Sequence, residues 1–318
     1  MDNTNRLRVI FGDSSLGIRG ESFHYIFNYG KGGLESLRKD GREWLYRVPR
    51  PTFWRAMTDN DKGCGFPQRS HMWIGADLYC RHYDFAVKRD GILIDKPIAP
   101  NNNQYSNEEY ADTMEITFFY DTGTQPSAKI EMHYLIEACG IIRLTMRYIG
   151  QKGLPELPAL GIRFIMPTYA TLYQYEGLSG ETYPDRMDGG IEGIYTVEGL
   201  PVTPYLVPQE CGMHMNTKWL KITRNTTLSN IRSKTTKEEF SLLFEQMYRP
   251  FAFSALPYTC HELEQATHHE ELPAKRRTVV TILGEVRGVG GIDSWGSDVE
   301  EAYRIDASKD YEMGICIY

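Results

Sequence analysis

The chain has 318 residues, 41% of them hydrophobic and 24% charged, which is the balance of a globular protein long enough to bury a full core. A net charge of −7 with no basic stripe excludes a duplex-binding surface, and the absence of an apolar run of about 18 residues excludes a membrane-spanning helix. Aromatic residues make up 12%, with 21 tyrosines and 5 tryptophans, which favours β structure and surfaces that meet sugars or other proteins.

Residues 1–5 read as a loose polar tail, and 6–318 as a single domain, because no repeat, low-complexity tract or linker divides them. The N-terminus lacks the apolar stretch of a signal peptide, so a cytoplasmic chain is expected. Leu7–Phe11 and Phe23–Asn28 read as strands. Leu34–Leu37 and Arg42–Tyr46 flank Asp40-Gly41, which predicts a hairpin because type I′ turns need positive φ. Pro49-Arg50-Pro51 marks a corner, and residues 52–65 form a loop rich in glycine and acid. Pro67–Tyr79 predicts a short helix.

Strand patterns then recur at Thr113–Tyr120, Ala128–Ile136, Ile141–Tyr148 and Leu160–Ile165; Ile92–Ile98 is interrupted by Pro97. Strands about ten residues apart with turn signals between them predict an all-β sandwich. Residues 171–216 read as one long irregular segment, a feature usually functional or partner-facing. Trp219–Thr223 and Phe240–Tyr248 resume the strands. Thr259 and Glu262 have the capping-box spacing, predicting a helix over 260–270 with His268-His269 at its end. Thr278–Leu283, Ala302–Ile305 and Tyr311–Ile317 complete the strands.

Six cysteines lie outside any C-x-x-C or zinc-site spacing, and all read as buried or partly buried thiols. The glycine-rich run Gly288–Asp298 surrounds a single tryptophan, Trp295. Held on a tight loop, an indole makes a flat platform for the apolar face of a sugar; it could equally plug the end of the sandwich. The run lacks the third glycine of a dinucleotide fingerprint. Glycoside hydrolysis would need two carboxyl groups, about 5–5.5 Å apart for retention and about 6.5–9.5 Å for inversion. The candidates are Asp59 with Asp61, Glu181 with Asp185, and Asp293 with Asp298. Each also suits the capping of a turn. Among the histidines, His214 alone is a candidate for a sugar site.

Four stretches taken together resemble motifs of the family 2 β-galactosidases, in that family's order. They are Trp54-Arg55-Ala56-Met57-Thr58-Asp59-Asn60-Asp61-Lys62-Gly63, Gly177-Leu178 through Tyr183-Pro184-Asp185-Arg186, Pro204-Tyr205 through Glu210, and Gly290-Gly291-Ile292-Asp293-Ser294-Trp295. Met57 stands where that family usually has proline, and Ile292 where it has aspartate. The resemblance is to the last domain only, and implies a large antiparallel β-supersandwich, galactose mutarotase-like, with a few short helices. The TIM barrel with both catalytic glutamates is missing, and a chain that starts at its own Met1 resembles the small subunit of the heterodimeric enzymes.

That resemblance implies a larger partner subunit carrying the barrel, with a galactoside such as lactose shared across the interface and cleaved by a retaining mechanism. It implies that Trp295 stacks on the sugar, chiefly on the glucose or acceptor side. Asp59, Asn60, Asp61 and Gly63 would position a loop near the active site. Tyr183, Asp185 and Arg186, with Asp293 and Ser294, would shape or support the same region. No catalytic residue, metal or cofactor is assigned to this chain; magnesium and sodium are expected on the large subunit. Two other functions compete. One is a stand-alone aldose epimerase using His214 with Glu181 or Glu210. The other is a non-catalytic carbohydrate-binding module whose affinity depends on Trp295.

Overall fold

The structure is a computed structural model that describes residues 6–98, 104–106, 108–228 and 233–318, without the side chains of 233–237. The tail expected at 1–5 lies outside the described residues. Period-two alternation builds the largest sheet. In Thr113–Asp121 every second residue is buried, and Met114, Ile116, Phe118 and Tyr120 all face the core. Lys129–Glu137 repeats the pattern and pairs with it antiparallel, Phe118 opposite Met132.

The described residues form three sheets in which all paired strands are antiparallel. The ten-stranded sheet runs in the order Glu192–Glu198, Leu172–Leu178, Trp219–Leu228, Ser233–Gln246, Tyr311–Ile317, Ile142–Ile149, Lys129–Glu137, Thr113–Asp121, Arg81–Arg89, Ile92–Ile94. A six-stranded sheet is built from the meander of residues 7–43, closed by Glu109–Ala111. Its hairpin turn at Asp40-Gly41 has φ of 48° and 72°, as the type I′ signal predicts. The five-stranded sheet runs Met213–Thr217, Phe251–Leu256, Thr278–Val286, Ala159–Met166, Arg47–Thr52. This is the all-β, large antiparallel architecture with few short helices that the sequence predicts.

The five-stranded sheet positions the loops, because both of its faces are used. Ile162, Phe164, Phe253, Val280 and Ile282 enter the main apolar core. Their neighbours Ala159, Met213, Ala252 and Leu283 face the other way and pack under Tyr183 and Val286. The glycine- and acid-rich loops lie over this second face.

Several local expectations are corrected. The stretch 171–216 is not one irregular segment: it contains the strands Leu172–Leu178, Glu192–Glu198 and Met213–Thr217. Its glycines and prolines concentrate in the connections, and they mask the short strands between. The helix expected over 67–79 is two helices, Phe66–Ser70 and Met72–Tyr79, that meet at His71. The capping box at Thr259 forms, with Glu262 Oε2 accepting from the Thr259 N–H at 2.7 Å. That helix nevertheless ends at Gln265, so His268-His269 enter a separate 3-10 turn. Residues 302–305 form no strand: a 3-10 turn covers Glu301–Tyr303, and Ile305 makes an isolated bridge to Leu157. Cys139 is exposed rather than buried, at a turn between two strands.

Candidate functional site: a braced tryptophan loop

Trp295 is 90% exposed, which removes the plug reading. The loop bearing it is ordered by its own chemistry. Gly290, Gly291 and Gly296 adopt φ of 68°, 78° and 83°, a region that side chains disfavour. Asp293 closes an Asx-type turn. Its Oδ1 accepts from the N–H groups of Trp295 at 2.9 Å and Ser297 at 3.2 Å, and its Oδ2 accepts from the Ser297 hydroxyl. These bonds hold the Asp293 carboxyl below the usual carboxylate range. Ser294 stands exposed beside it.

The base of the loop is clamped by residues far away in sequence. Asp185 accepts from the N–H of Val289 at 2.9 Å and of Gly290 at 2.7 Å. Arg186 donates to the Gly290 carbonyl, and Asn60 Nδ2 donates to the Val289 carbonyl at 3.1 Å. Arg55 reaches the Gly288 carbonyl at 3.0 Å. Tyr183 is buried against Met213 and Leu283 and starts the turn that aims Asp185 and Arg186.

Asp59, Asn60, Asp61 and Gly63 are a short helix rather than a bare loop. Thr58 is its N-cap and Asp61 completes a capping box. The Asp59 N–H is taken by Gln209 Oε1 at 2.8 Å, and the Asp59 carboxylate is exposed near Lys62. Gly63 lies against Gly296, so the helix and the tryptophan loop touch.

Beneath them runs a buried ionic network that has no signature in the sequence. Arg55 binds Asp61 with two nitrogens, at 2.6 and 3.1 Å. Arg287, fully buried, donates to Asp61 at 3.2 Å, to Asp298 at 2.5 Å and to Glu156 at 3.1 Å. Its guanidinium also covers the Phe66 ring at 3.7 Å. Burial alone would push the Asp61 carboxyl up; Arg55 and the Thr58 bonds overcome it, and its pKa lies below the ordinary value. Arg55 and Arg287 are 6 and 226 residues from Asp61, and no spacing rule joins the second.

The remaining candidates are consumed by structure. Glu181 accepts from Thr203 at 2.8 Å and from Tyr183 at 3.4 Å. Glu210 is buried, and burial pushes its carboxyl up to about 8 against the pull of Arg55. His214 is an interior histidine, not a sugar ligand. Its Nε2 meets the Tyr173 hydroxyl at 3.0 Å, its ring lies 4.5 Å from Tyr175 and 4.8 Å from Phe253, and burial lowers its pKa to about 4. Strand alternation turns His214 toward the core, while Met213, which lines the cavity holding Glu210, faces the opposite side of the sheet. An acid–base pair between His214 and Glu210 is therefore not assembled.

One cluster has the composition of a metal site: ligand atoms of Asp77, Cys260 and His261 lie within 4.8 Å of one another. A guanidinium already occupies it. Arg163 donates to Asp77 at 2.8 Å and to Cys260 Sγ at 3.0 Å. Burial keeps the Cys260 thiol protonated, and a cation there would meet the Arg163 charge. The cluster is a structural knot.

Fold and loops together define an all-β scaffold protein that holds a braced, tryptophan-bearing loop away from its body. The family model described as beta galactosidase small chain matches residues 19–317, and the chain belongs to that family. The β-galactosidase small subunit of Latilactobacillus sakei is 58% identical over 311 residues, covering 98% of this chain and 97% of that one. The β-galactosidase BgaC of Bifidobacterium adolescentis is 31% identical over 310 residues, 96% of this chain but 27% of that protein. The chain thus spans about a quarter of the length of such longer relatives. Among solved structures, a putative aldose 1-epimerase of Escherichia coli aligns over 98% of this chain and 97% of that one, with 10% identity and a TM-score of 0.45. No helix among the described residues is long and apolar enough to cross a membrane.

Proposed function

We propose that this chain forms one wall of a galactoside pocket in a two-subunit β-galactosidase, with Trp295 at the rim. The larger partner carries a TIM barrel and the two glutamates that cleave terminal β-galactosides, lactose among them, with retention. That partner also holds the magnesium and sodium of the active site, and this chain needs no cofactor. The assembly works in the cytoplasm.

The observation that carries this reading is the state of Trp295. A free indole leaves on the order of 200 Å² of mostly apolar surface in water. Here it is 90% exposed on a loop braced from four directions by Asp185, Arg186, Asn60 and Arg55. Such bracing favours a surface that something else covers. The candidate carboxylates support the division of labour, since Asp61, Asp185, Asp293 and Asp298 are all engaged in holding loops. The presence of this segment within longer β-galactosidases supports it too.

Titration with a non-hydrolysed thiogalactoside, followed by tryptophan fluorescence, tests the reading. The joined subunits should give a saturable change that disappears in Trp295→Ala, and the lone chain should give little. Equal affinity in the lone chain would instead make it a self-sufficient carbohydrate-binding module.

A further inference from the structure

Two clefts of about 520 and 500 Å³ lie along Arg47–Thr52, the edge strand of the five-stranded sheet. They share Arg47, Leu78 and Ile165 and so form one trough. In a chain of net charge −7, the trough is lined by six cationic side chains and three carboxylates.

All three carboxylates are already engaged. Glu262 closes the capping box with Thr259. Glu35 accepts from Lys31 and Asn28. Asp77 holds Arg163 and His261. Four guanidiniums remain: Arg47, Arg50, Arg276 and Arg277. Among the described residues none of them has a carboxylate within 4 Å or a side-chain hydrogen bond. Arg50 and Arg277 are moreover half-buried. The Arg277 guanidinium lies over the Tyr46 ring, 3.9 Å from its centre, and that of Arg47 lies 6.0 Å from the same ring.

Like charges gathered in a concave, partly desolvated site repel one another unless an anion joins them. Guanidiniums present forked donors that match phosphate oxygens two at a time. The trough has the volume of a small-molecule site, and Leu78, Ile165 and Val279 add apolar surface to its lining. A long acidic peptide would be better served by a flat, open surface. We propose that this trough binds a small phosphate-bearing molecule, with Arg47, Arg276 and Arg277 on the phosphates in one cleft and Arg50 serving the other. The proposal uses none of the residues assigned to the galactoside pocket.

Calorimetric titration of the full chain with inorganic pyrophosphate, at constant ionic strength, tests it. Saturable binding is expected, weakened at least tenfold in R276Q/R277Q and in R47Q, and unchanged in R249Q, whose parent arginine pairs with Glu285 outside the trough. Thermal melts without ligand confirm that the variants are folded. No saturable heat, or equal binding by wild type and R276Q/R277Q, would overturn the proposal. So would tighter binding of a hexaglutamate peptide than of pyrophosphate, which would assign the trough to an acidic protein segment.

Discussion

Gly296 and Gly63 meet backbone to backbone: a methyl group on Gly296 would stand 2.9 Å from the Gly63 carbonyl oxygen. Gly296 also sits at φ 83°, so an alanine there suffers both strain and collision. The contact welds the short helix Asp59–Gly63 to the loop one residue past Trp295. Gly296→Ala should cost only about 1–2 kcal/mol of stability, because the loop is at the surface. It should cost far more in activity, on the order of a hundredfold in kcat/KM of the assembled enzyme, by moving the indole. Kinetics on a chromogenic galactoside beside thermal melts would separate the two effects.

Trp295 itself should be nearly silent in stability. Its side chain is exposed, so Trp295→Ala should change unfolding free energy by no more than about 0.5 kcal/mol. Loss of an aromatic stacking contact of about 2 kcal/mol would lower kcat/KM some thirtyfold. A large fall in melting temperature would show instead that the indole is part of the fold.

Asp185 grips the loop base through two N–H groups. Hydrogen bonds to a charged acceptor contribute about 1.5–3 kcal/mol. In Asp185→Ala the amides of Val289 and Gly290 should therefore exchange with solvent at least tenfold faster, while amides in the core strand Lys129–Glu137 stay protected. Unchanged exchange at 289 and 290 would mean that the loop holds itself.

The Asp61 network is a different case, because Asp61, Arg55 and Arg287 at its centre are fully enclosed. Asp61→Asn leaves Arg55 and Arg287 short of a counter-charge in the interior. Breaking a buried pair in this way costs about 3–5 kcal/mol. Denaturant unfolding should reveal a loss of that size. A loss below about 1 kcal/mol would mean that Asp298 and Glu156 compensate.

Glu210 supplies a pH dependence. Its carboxyl is raised by burial to about 8 in the folded chain, from an ordinary value near 4.5. A group raised on folding stabilises fully below its unfolded pKa, and that stability is lost as pH rises toward the folded pKa. Between those values each pH unit costs about 1.4 kcal/mol. Glutamine imitates the protonated acid without titrating. Glu210→Gln should therefore match wild type near pH 4.5 and melt several degrees higher at pH 7.5. Parallel melting curves across that range would mean that Glu210 is ionised in place.

Much of this was legible in the chain, and the reasons are local. The alternation of Thr113–Asp121 marks a half-buried strand with no tertiary knowledge, and Asp40-Gly41 and Thr259…Glu262 encode a turn and a cap in single short spacings. The tryptophan loop could be found from its glycines, yet its outward pose could not, because plugging and presenting an indole need the same composition. Arg287 was missed for a different reason. It follows an apolar strand and reads as an ordinary surface charge until folding brings it to Asp61, 226 positions away. His214 misled because a polar residue in a glycine-rich stretch suggests a site, whereas the strand Met213–Thr217 turns it inward.

The central claim is that this chain builds part of a pocket and breaks no bond alone. The direct test is hydrolysis of a chromogenic galactoside by each purified subunit and by a titrated mixture of the two. The expected result is no turnover by this chain at any concentration, little by the large chain, and activity in the mixture that saturates at equal stoichiometry. Turnover by this chain alone, or full activity of the large chain without it, would contradict the account.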